Sequence, residues 1–417
     1  MTYADSAATP TTTEIPAGCV SPPGGALGWI RPEFERPAKA FAVLFSRLKF
    51  GGGALCVYLD GQPVMDIWAG NATAERAWTH DTAGLIFSAA KGISATALHR
   101  LADRGLLDYD APIAEYWPEF AANGKGHITV RDALAHRAGL SRLDGIVDSI
   151  EQLGDLEEFE RRIAAAPIGD QAGRQAYHSL SIGGIMSGIG RAITGHGMGD
   201  LYQSEIATPL GLTRLSLGRS KDPTVQHTAL VPALAPLMHR RPLDSGLAPT
   251  LAGIKRLPGI GGLLRTVHVR GVEWWLADDG TPISPIYDIE LPAGNAMIPA
   301  YELAKMYAAL AGDGTVDGRR LLSADTTTTL WPIRGLDFDH TLGLPFKFQL
   351  GYHSGPPLPT MQSSFGHVGL GGSTGWADPA RGLAVGFIHN RLTSTWIADQ
   401  TAFFVPLWPM IVRAAGR

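Results

Sequence analysis

The feature that most restricts this chain is where its strand-forming runs fall, at the two ends with helical patterns between them. Ala54–Leu59 and Val64–Trp68 are apolar, β-prone runs joined by Asp60-Gly61-Gln62-Pro63, a turn composition. His367–Leu370 and Leu383–His389 have the same character, with a connecting turn predicted around Asp378-Pro379. Between these ends, Val130–His136 and Leu180–Ile193 space their apolar residues as helices do. Three further helices are predicted. One covers Pro37–Phe50 and stops at Gly51-Gly52-Gly53; one runs from Ser88 to about Arg104, where Gly105 ends it. The third covers Pro299–Ala311, with its proline in the first turn. Strands this far apart in sequence bury their faces most simply by sharing one sheet. The expected fold is α/β (α+β), an antiparallel sheet flanked by helices, built from both chain ends, with a mainly helical inserted domain. Residues 1–28, rich in Thr, Ala and Pro, read as a loose tail. Residues 29–110 and 285–417 form the sheet domain and 111–284 the insertion, and the cleft between the two is the natural site.

Length and charge narrow the class. At roughly 150 residues per domain, 417 residues make two or three structural units, enough to bury a core without disulfide or metal staples. Only Cys19 and Cys56 are present, too few for a disulfide framework or a four-thiolate zinc site. Lys and Arg number 35 against 39 Asp and Glu, so the net charge of −4 gives no electrostatic reason to bind nucleic acid. The first residues lack the basic start and apolar run of a signal peptide, and Pro16-Ala17-Gly18-Cys19 follows no apolar stretch. Phe403–Val412 falls short of the ~20 residues of a spanning helix and contains Pro406 and Pro409. These features lead us to expect a soluble, cytoplasmic protein. Segment 230–272 is rich in Pro and Gly and carries Arg240, Arg241, Lys255, Arg256, Arg265 and Arg270 against Asp244. A solvated crossover explains it better than a flap that touches a membrane surface, and Trp274-Trp275 read as packing residues.

The most informative tetrapeptide is Ser88-Ala89-Ala90-Lys91. In a first helical turn, residues three apart share a face, so the Lys91 amine reaches the Ser88 hydroxyl. A serine is a poor nucleophile until a base takes its proton, and a lysine can do so only when its pKa is lowered. The free N–H groups at a helix start also favour an oxyanion. Two decoys exist. Ser46-Arg47-Leu48-Lys49 has the same spacing but lies at a helix end, where no N–H is free. Gly371-Gly372-Ser373-Thr374-Gly375 matches G-x-S-x-G, yet no helix follows it as a nucleophile elbow requires, so its glycines read as room for backbone near a substrate. Thirteen histidines contain no H-E-x-x-H and no metal-ligand cluster, so no metal or cofactor is expected. His136, His178 and His268 read as packing or surface residues, with His178 of interest as the neighbour of Tyr177.

Tyr177-His178-Ser179 and His367-Val368-Gly369 complete a set of three with the first tetrapeptide. With Val64-Met65-Asp66-Ile67-Trp68-Ala69-Gly70, Tyr116-Trp117-Pro118-Glu119-Phe120, His136-Arg137-Ala138-Gly139-Leu140 and Pro209-Leu210-Gly211-Leu212, they span roughly residues 30 to 415. The chain resembles the serine β-lactamase and penicillin-binding superfamily, and within it the class C β-lactamase-like family VIII carboxylesterases. The resemblance implies a β-lactamase/transpeptidase-like fold, with Ser88 as the acylated nucleophile, Lys91 as its proton-relay partner and Tyr177 sharing acid/base duty. A cationic Lys91 beside the phenol favours phenolate, so the pair is expected to titrate as one unit. Which of the two is the acylation base stays open. The resemblance further implies an oxyanion hole from the backbone N–H groups of Ser88 and Leu370. It places His367, Gly369, Ser179 and Asn390 along the substrate site, although Asn390 reads equally well as a strand-ending turn residue.

Two departures set the expected chemistry. Where β-lactamases carry Lys-Thr-Gly this chain has His367, mostly neutral at pH 7, which offers a hydrogen bond rather than a charge. Where they carry an asparagine after the tyrosine it has Ser179, a short hydroxyl. Both changes suit a neutral ester better than an anionic, amide-bearing substrate, and we expect an ester of short to medium acyl chain. The resemblance therefore implies a serine carboxylesterase that acts through an acyl-enzyme on a small-molecule ester. Alternatives are an acyltransferase using the same intermediate and a β-lactamase or peptidase. A non-enzymatic scaffold would have no need of Ser88, Lys91 and Tyr177 together.

Overall fold

The structure, a computed structural model, describes residues 14–46, 51–232, 287–356, 358–392 and 401–416. Eight strands form one antiparallel sheet: β1 (Leu27–Ile30), β2 (Gly52–Leu59), β3 (Gln62–Gly70), β4 (Phe348–Gln349), β5 (Tyr352–Ser354), β6 (Phe365–Val368), β7 (Thr374–Asp378) and β8 (Leu383–His389). Their order is β1-β3-β2-β8-β7-β6-β5-β4. The N-terminal β2 pairs with the C-terminal β8 from Leu59↔Leu383 to Gly53↔His389, so the two chain ends do share one sheet.

Both faces of this sheet are covered, and strand alternation assigns residues to each. Leu55 and Val57 of β2, with Val385 and Phe387 of β8, pack with Phe41 of α1 (Glu35–Ser46) and Trp408. Ala54, Cys56 and Tyr58, with Ala384 and Ile388, face the other way into a cluster with Leu303 and Tyr307 of the helix Ala300–Ala311. That second layer also contains Ala90–Asp103, labelled α2, and Ser181–Thr194, labelled α3; Ala300–Ala311 is α4. Residues 90–99 and 101 of α2 are buried, which marks it as a central helix rather than an amphipathic one on the surface. A small three-stranded sheet ties the layers together: Ala296–Ile298 pairs with Gly84–Leu85 on one side and Ser216–Leu217 on the other. It clamps the segment leading into α2 against the insertion.

Several expectations are corrected in detail. The β2–β3 turn is the two residues Asp60-Gly61, because both adopt positive φ (51° and 74°), the geometry that matches hairpin twist. Gly52 and Gly53 do not merely break α1 but begin β2; a Cβ on Gly53 would lie 2.7 Å from the Ile388 carbonyl. The first strand of the third motif ends at Val368, and β7, not expected, lies between it and β8. Gly375 disguises its alternation, and the Asp378-Pro379 turn therefore joins β7 to β8. Of the expected tail, residues 14–28 are described; Val20 bridges to Ile30 and β1 starts at Leu27, so hydrogen bonding to the sheet edge orders this part. Pro299 is the N-cap of α4 rather than part of its first turn. Phe403–Leu407 and Trp408–Ala414 form two short helical turns against the sheet, and among the described residues no helix is long and apolar enough to cross a membrane. Most of segment 230–272, together with His268 and Trp274-Trp275, lies outside the described residues.

Helix α4 crosses the sheet where side chains are missing. Gly375 and Gly386 are register partners on β7 and β8. A Cβ on Gly375 would stand 2.0 Å from the Tyr307 ring, and one on Gly386 2.2 Å from the Ala300 carbonyl. Gly375 thus makes room for α4, which explains the last glycine of the G-x-S-x-G decoy without a substrate. Gly375→Ala is expected to destabilise the protein by about 1–3 kcal/mol through overpacking, read as a lower urea midpoint; an unchanged midpoint contradicts this packing.

Candidate active site

The site begins with a backbone turn. Phe87–Ala89 form a 3-10 turn that runs directly into α2, and Phe87 holds a positive φ of 47°. For a non-glycine residue this is a strained conformation, maintained by surroundings that over-determine it. Its effect is to put Ser88 in the first turn of the helix, half-buried, where the Ser88 N–H has no intrahelical acceptor. Lys91 follows one turn on, 1% exposed. Its Nζ lies 3.0 Å from Ser88 Oγ and donates to the Ala293 carbonyl at 2.8 Å.

Tyr177 arrives from the insertion, immediately before α3. Its phenol donates to Ser88 Oγ at 2.9 Å, and the Lys91 amine lies 5.1 Å from the centre of its ring. The three chemistry-bearing side chains therefore meet at one oxygen. Burial sets their charges. It pushes the Lys91 amine well below the ordinary lysine value and the Tyr177 phenol upward, against the hydrogen bond to Ser88 that acts the other way. Desolvation penalises charge on both groups and so works against the expected lysinium–phenolate pair, favouring the neutral amine and the neutral phenol.

The Leu370 loop closes the site from the sheet. Gly369 N–H donates to the Ser373 carbonyl at 2.7 Å and Gly372 N–H to the Gly369 carbonyl at 3.0 Å. Gly371 and Gly372 take positive φ of 88° and 112° to complete the turn. A Cβ on Gly369 would sit 2.1 Å from the Ile86 carbonyl, so Gly369 lets this loop touch the backbone just before Ser88. The Leu370 N–H has no acceptor among the described residues. Two unused N–H groups, from Ser88 and Leu370, thus lie on backbone segments in contact.

Around Tyr177 sit four buried histidines, all held neutral. Burial lowers His178 and His353 to about 4 and takes His136 and His367 well down. Their tautomers follow from their partners. His178 Nε2 accepts from Leu140 N–H (2.9 Å) and its Nδ1 faces the Ala176 carbonyl (2.6 Å), which makes it a fastener of the Tyr177 loop. His353 Nε2 accepts from Val368 N–H at 3.1 Å. His367 Nδ1 lies 3.0 Å from the Val368 carbonyl, so its proton is there and Nε2 is an acceptor, buried and without a partner among the described residues. The hydrogen bond expected from His367 is thus one it accepts at Nε2, not one it donates.

Other expected residues are placed differently. Asn390 is 1% exposed and fully committed: Oδ1 accepts from Gly52 N–H at 2.9 Å, and Nδ2 faces the carbonyls of Asn71, Ala72 and Ala229 at 2.9–3.1 Å. It straps β8 to neighbouring loops and has nothing left for a substrate, so the strand-ending reading holds and the substrate-lining one does not. Ser179 is buried two residues beyond Tyr177. Ser373 is 1% exposed and exchanges hydrogen bonds with the His389 backbone, at 3.3 Å to its carbonyl and 3.2 Å from its N–H. Ser46 is the last residue of α1, and Lys49 lies outside the described residues. Cys56 is buried and Cys19 partly so, both as free thiols.

The sequence did not single out the supports of Tyr177. Asp339 Oδ1 accepts the Tyr177 N–H (3.2 Å) together with those of Thr341 and Leu342, and burial raises its carboxyl. Phe348 stacks on the Tyr177 ring at 5.4 Å, and Gln175 Oε1 accepts the Phe348 N–H at 3.0 Å. The Ala293 carbonyl offers no side-chain signal at all.

This geometry accords with the comparisons. A family model described as Beta-lactamase matches residues 38–405. The chain belongs to the β-lactamase family. Among curated proteins, the esterase/β-lactamase LipL of Mycobacterium tuberculosis is 42% identical over 396 residues, 94% of this chain and 89% of that protein. Among solved structures, a family VIII carboxylesterase superposes with a TM-score of 0.74 at 27% identity, covering 94% of this chain and 99% of that one. A penicillin-binding protein homologue from Caulobacter crescentus gives 0.73 at 26% identity, covering 92% and 99%. The β-lactamase/transpeptidase-like fold expected from the sequence is therefore established. Within this β-lactamase-family site, Gly369→Ala is expected to push the Leu370 loop off Ile86 and lower turnover of an activated ester by ~10²-fold. Unfolding should still be cooperative; normal turnover would show that the contact does not position the loop.

Proposed function

We propose that this protein is a serine hydrolase that cleaves neutral carboxylic esters of short to medium acyl chain through a covalent acyl-enzyme. The observation that carries this reading is the convergence of Lys91 Nζ and the Tyr177 phenol on Ser88 Oγ, at 3.0 and 2.9 Å. Ser88 Oγ attacks the ester carbonyl carbon as its proton passes to the neutral Lys91 amine. The carbonyl oxygen gains charge facing the N–H groups of Ser88 and Leu370. The C–O bond to the alcohol then breaks, and the leaving oxygen takes a proton from the Lys91–Tyr177 pair. Water attacks the acyl carbon, gives up a proton to the same pair, and releases the carboxylic acid as Ser88 regains its hydroxyl.

Lys91 is the better acylation base, because burial favours its neutral form while it disfavours ionisation of the Tyr177 phenol. The phenol then serves as a donor to the reacting oxygen. The neutral, accepting His367 supports an uncharged substrate, since it supplies no cation for a carboxylate. The relatives' names support ester hydrolysis. The name of LipL also favours a second reading, β-lactam hydrolysis by the same acyl-enzyme; nitrocefin turnover that depends on Ser88 would establish it.

Intact-mass analysis after treatment with an alkyl phosphonate probe tests the nucleophile. One adduct is expected on the wild type and on Ser88→Ala none, while Ser373→Ala still labels; the reverse pattern overturns the assignment. Lys91→Ala and Tyr177→Phe are each expected to cut p-nitrophenyl butyrate turnover ~10²-fold or more with circular dichroism unchanged. The pH profile follows from the sign of the Lys91 shift. A base works only when deprotonated, so kcat/KM falls as pH drops through the Lys91 pKa, and burial places that limb well below the ordinary lysine value. A limb at the ordinary lysine value would exclude Lys91 as the buried neutral base.

A further inference from the structure

Of the side chains that meet at Ser88 Oγ, Lys91 is held by the helix it belongs to, whereas Tyr177 sits on an irregular stretch before α3. A phenol that stays 2.9 Å from Ser88 Oγ therefore depends on what fixes its main chain. The flanking residues are tied to His136: Ala176 N–H donates to its carbonyl at 3.0 Å and His178 N–H to its Nδ1 at 3.0 Å. The N–H of Tyr177 itself goes elsewhere, to Asp339 Oδ1 at 3.2 Å.

Asp339 lies on a hairpin in which Asp337–Asp339 pairs with Leu344–Phe346. Phe338 and Leu344 on this hairpin, and Leu336 beside it, are each more than half exposed, so apolar burial does little to anchor its outer side. Polar links attach it instead. His340 N–H donates to the Gln175 carbonyl at 2.9 Å, Gln175 Nε2 donates to the Phe346 carbonyl at 2.9 Å, and Asp337 pairs with Arg137. Asp339 adds a link that acts at both ends. Its Oδ1 also accepts the N–H groups of Thr341 and Leu342, at 3.0 and 2.8 Å, which shapes the hairpin tip as Asp side chains do in turns. One oxygen of a fully buried residue thus joins the tip to Tyr177.

The two acids of this strand differ in their surroundings. Asp337 faces a guanidinium, whereas Asp339 has no cation partner among the described residues and its Oδ2 is buried without a hydrogen bond there. Burial raises the Asp339 carboxyl, against the three N–H groups that act the other way. A buried charge without a counter-ion is costly, while three buried N–H groups need an acceptor in any protonation state. We propose that Asp339 is a positioning residue for acylation of Ser88: its Oδ1 fixes the main chain of Tyr177, and it does so as an acceptor rather than as a charge. This role rests on the esterase reading of Ser88, Lys91 and Tyr177.

A double-mutant cycle read by p-nitrophenyl butyrate turnover of the full chain tests this. Asp339→Asn keeps an oxygen for the three N–H groups and is expected to hold kcat within about twofold of wild type. Asp339→Ala is expected to lower kcat about tenfold with KM nearly unchanged. In a Tyr177→Phe background the same Ala change is expected to cost less than about twofold, because the phenol it positions is already gone. A loss of about tenfold in that background shows a general structural role and overturns the proposal. An Asn variant that unfolds cooperatively yet is as slow as the Ala variant overturns it too, since the charge would then be what matters. The Asn result decides this whatever the stability of the Ala variant. Phosphonate labelling of the wild type separates the two readings. A wild type that does not label at Ser88 removes the esterase reading and this role with it; a labelled wild type with an additive cycle removes only the role of Asp339.

Discussion

The burial of one amine underlies the chemistry of this fold. An ordinary lysine is charged at neutral pH and has no lone pair to give; Lys91 is 1% exposed on a helix that is buried nearly all round. Removing water makes the neutral form competitive, and the Ala293 carbonyl orients the nitrogen toward Ser88. An exposed Lys91 would leave the same three atoms within hydrogen-bonding distance but without a base. On the proposed mechanism, the core around α2 serves the chemistry as much as the stability of the protein.

Around that amine, the fold brings distant backbone segments unusually close by omitting side chains. Gly369 lets the Leu370 loop rest against Ile86, and Gly375 and Gly386 let α4 cross the sheet. The same economy appears in charge. Tyr177, His136 and His367 act on or lie beside Lys91, with His178 and His353 packed behind them, and desolvation disfavours charge on each. A charged group among them would oppose proton transfer from Ser88 or demand a counter-ion. Asp339 stands close behind Tyr177; three backbone N–H groups satisfy one of its oxygens, and burial raises its pKa.

Asn390, expected along the substrate site, and Ser373, the serine of the G-x-S-x-G decoy, are put to structural use for a common reason. Asn390 and Ser373 lie near the site in sequence pattern, but their polar atoms are already spent on backbone at the end of β8. Strand ends leave N–H and C=O groups unpaired, and small polar side chains are the usual means of satisfying them. A motif match cannot distinguish such a structural polar residue from a functional one, because both demand the same residue type at the same place.

The amino-acid order alone determined the sheet at the chain ends, the helices between and the pairing of Ser88 with Lys91, because hydrophobic period and a three-residue spacing are local properties. It also carried enough family pattern to nominate Tyr177, His367 and the Leu370 loop. Tertiary structure alone decided the rest. That burial lowers the Lys91 pKa and raises that of Tyr177 depends on what covers them, and that His367 accepts rather than donates depends on the Val368 carbonyl beside its Nδ1. The strand Thr374–Asp378 was hidden by Gly375, whose purpose lies in a helix that begins some seventy residues earlier in the chain. Burial, tautomer and close approach are properties of neighbours in space, and no spacing within the chain encodes them.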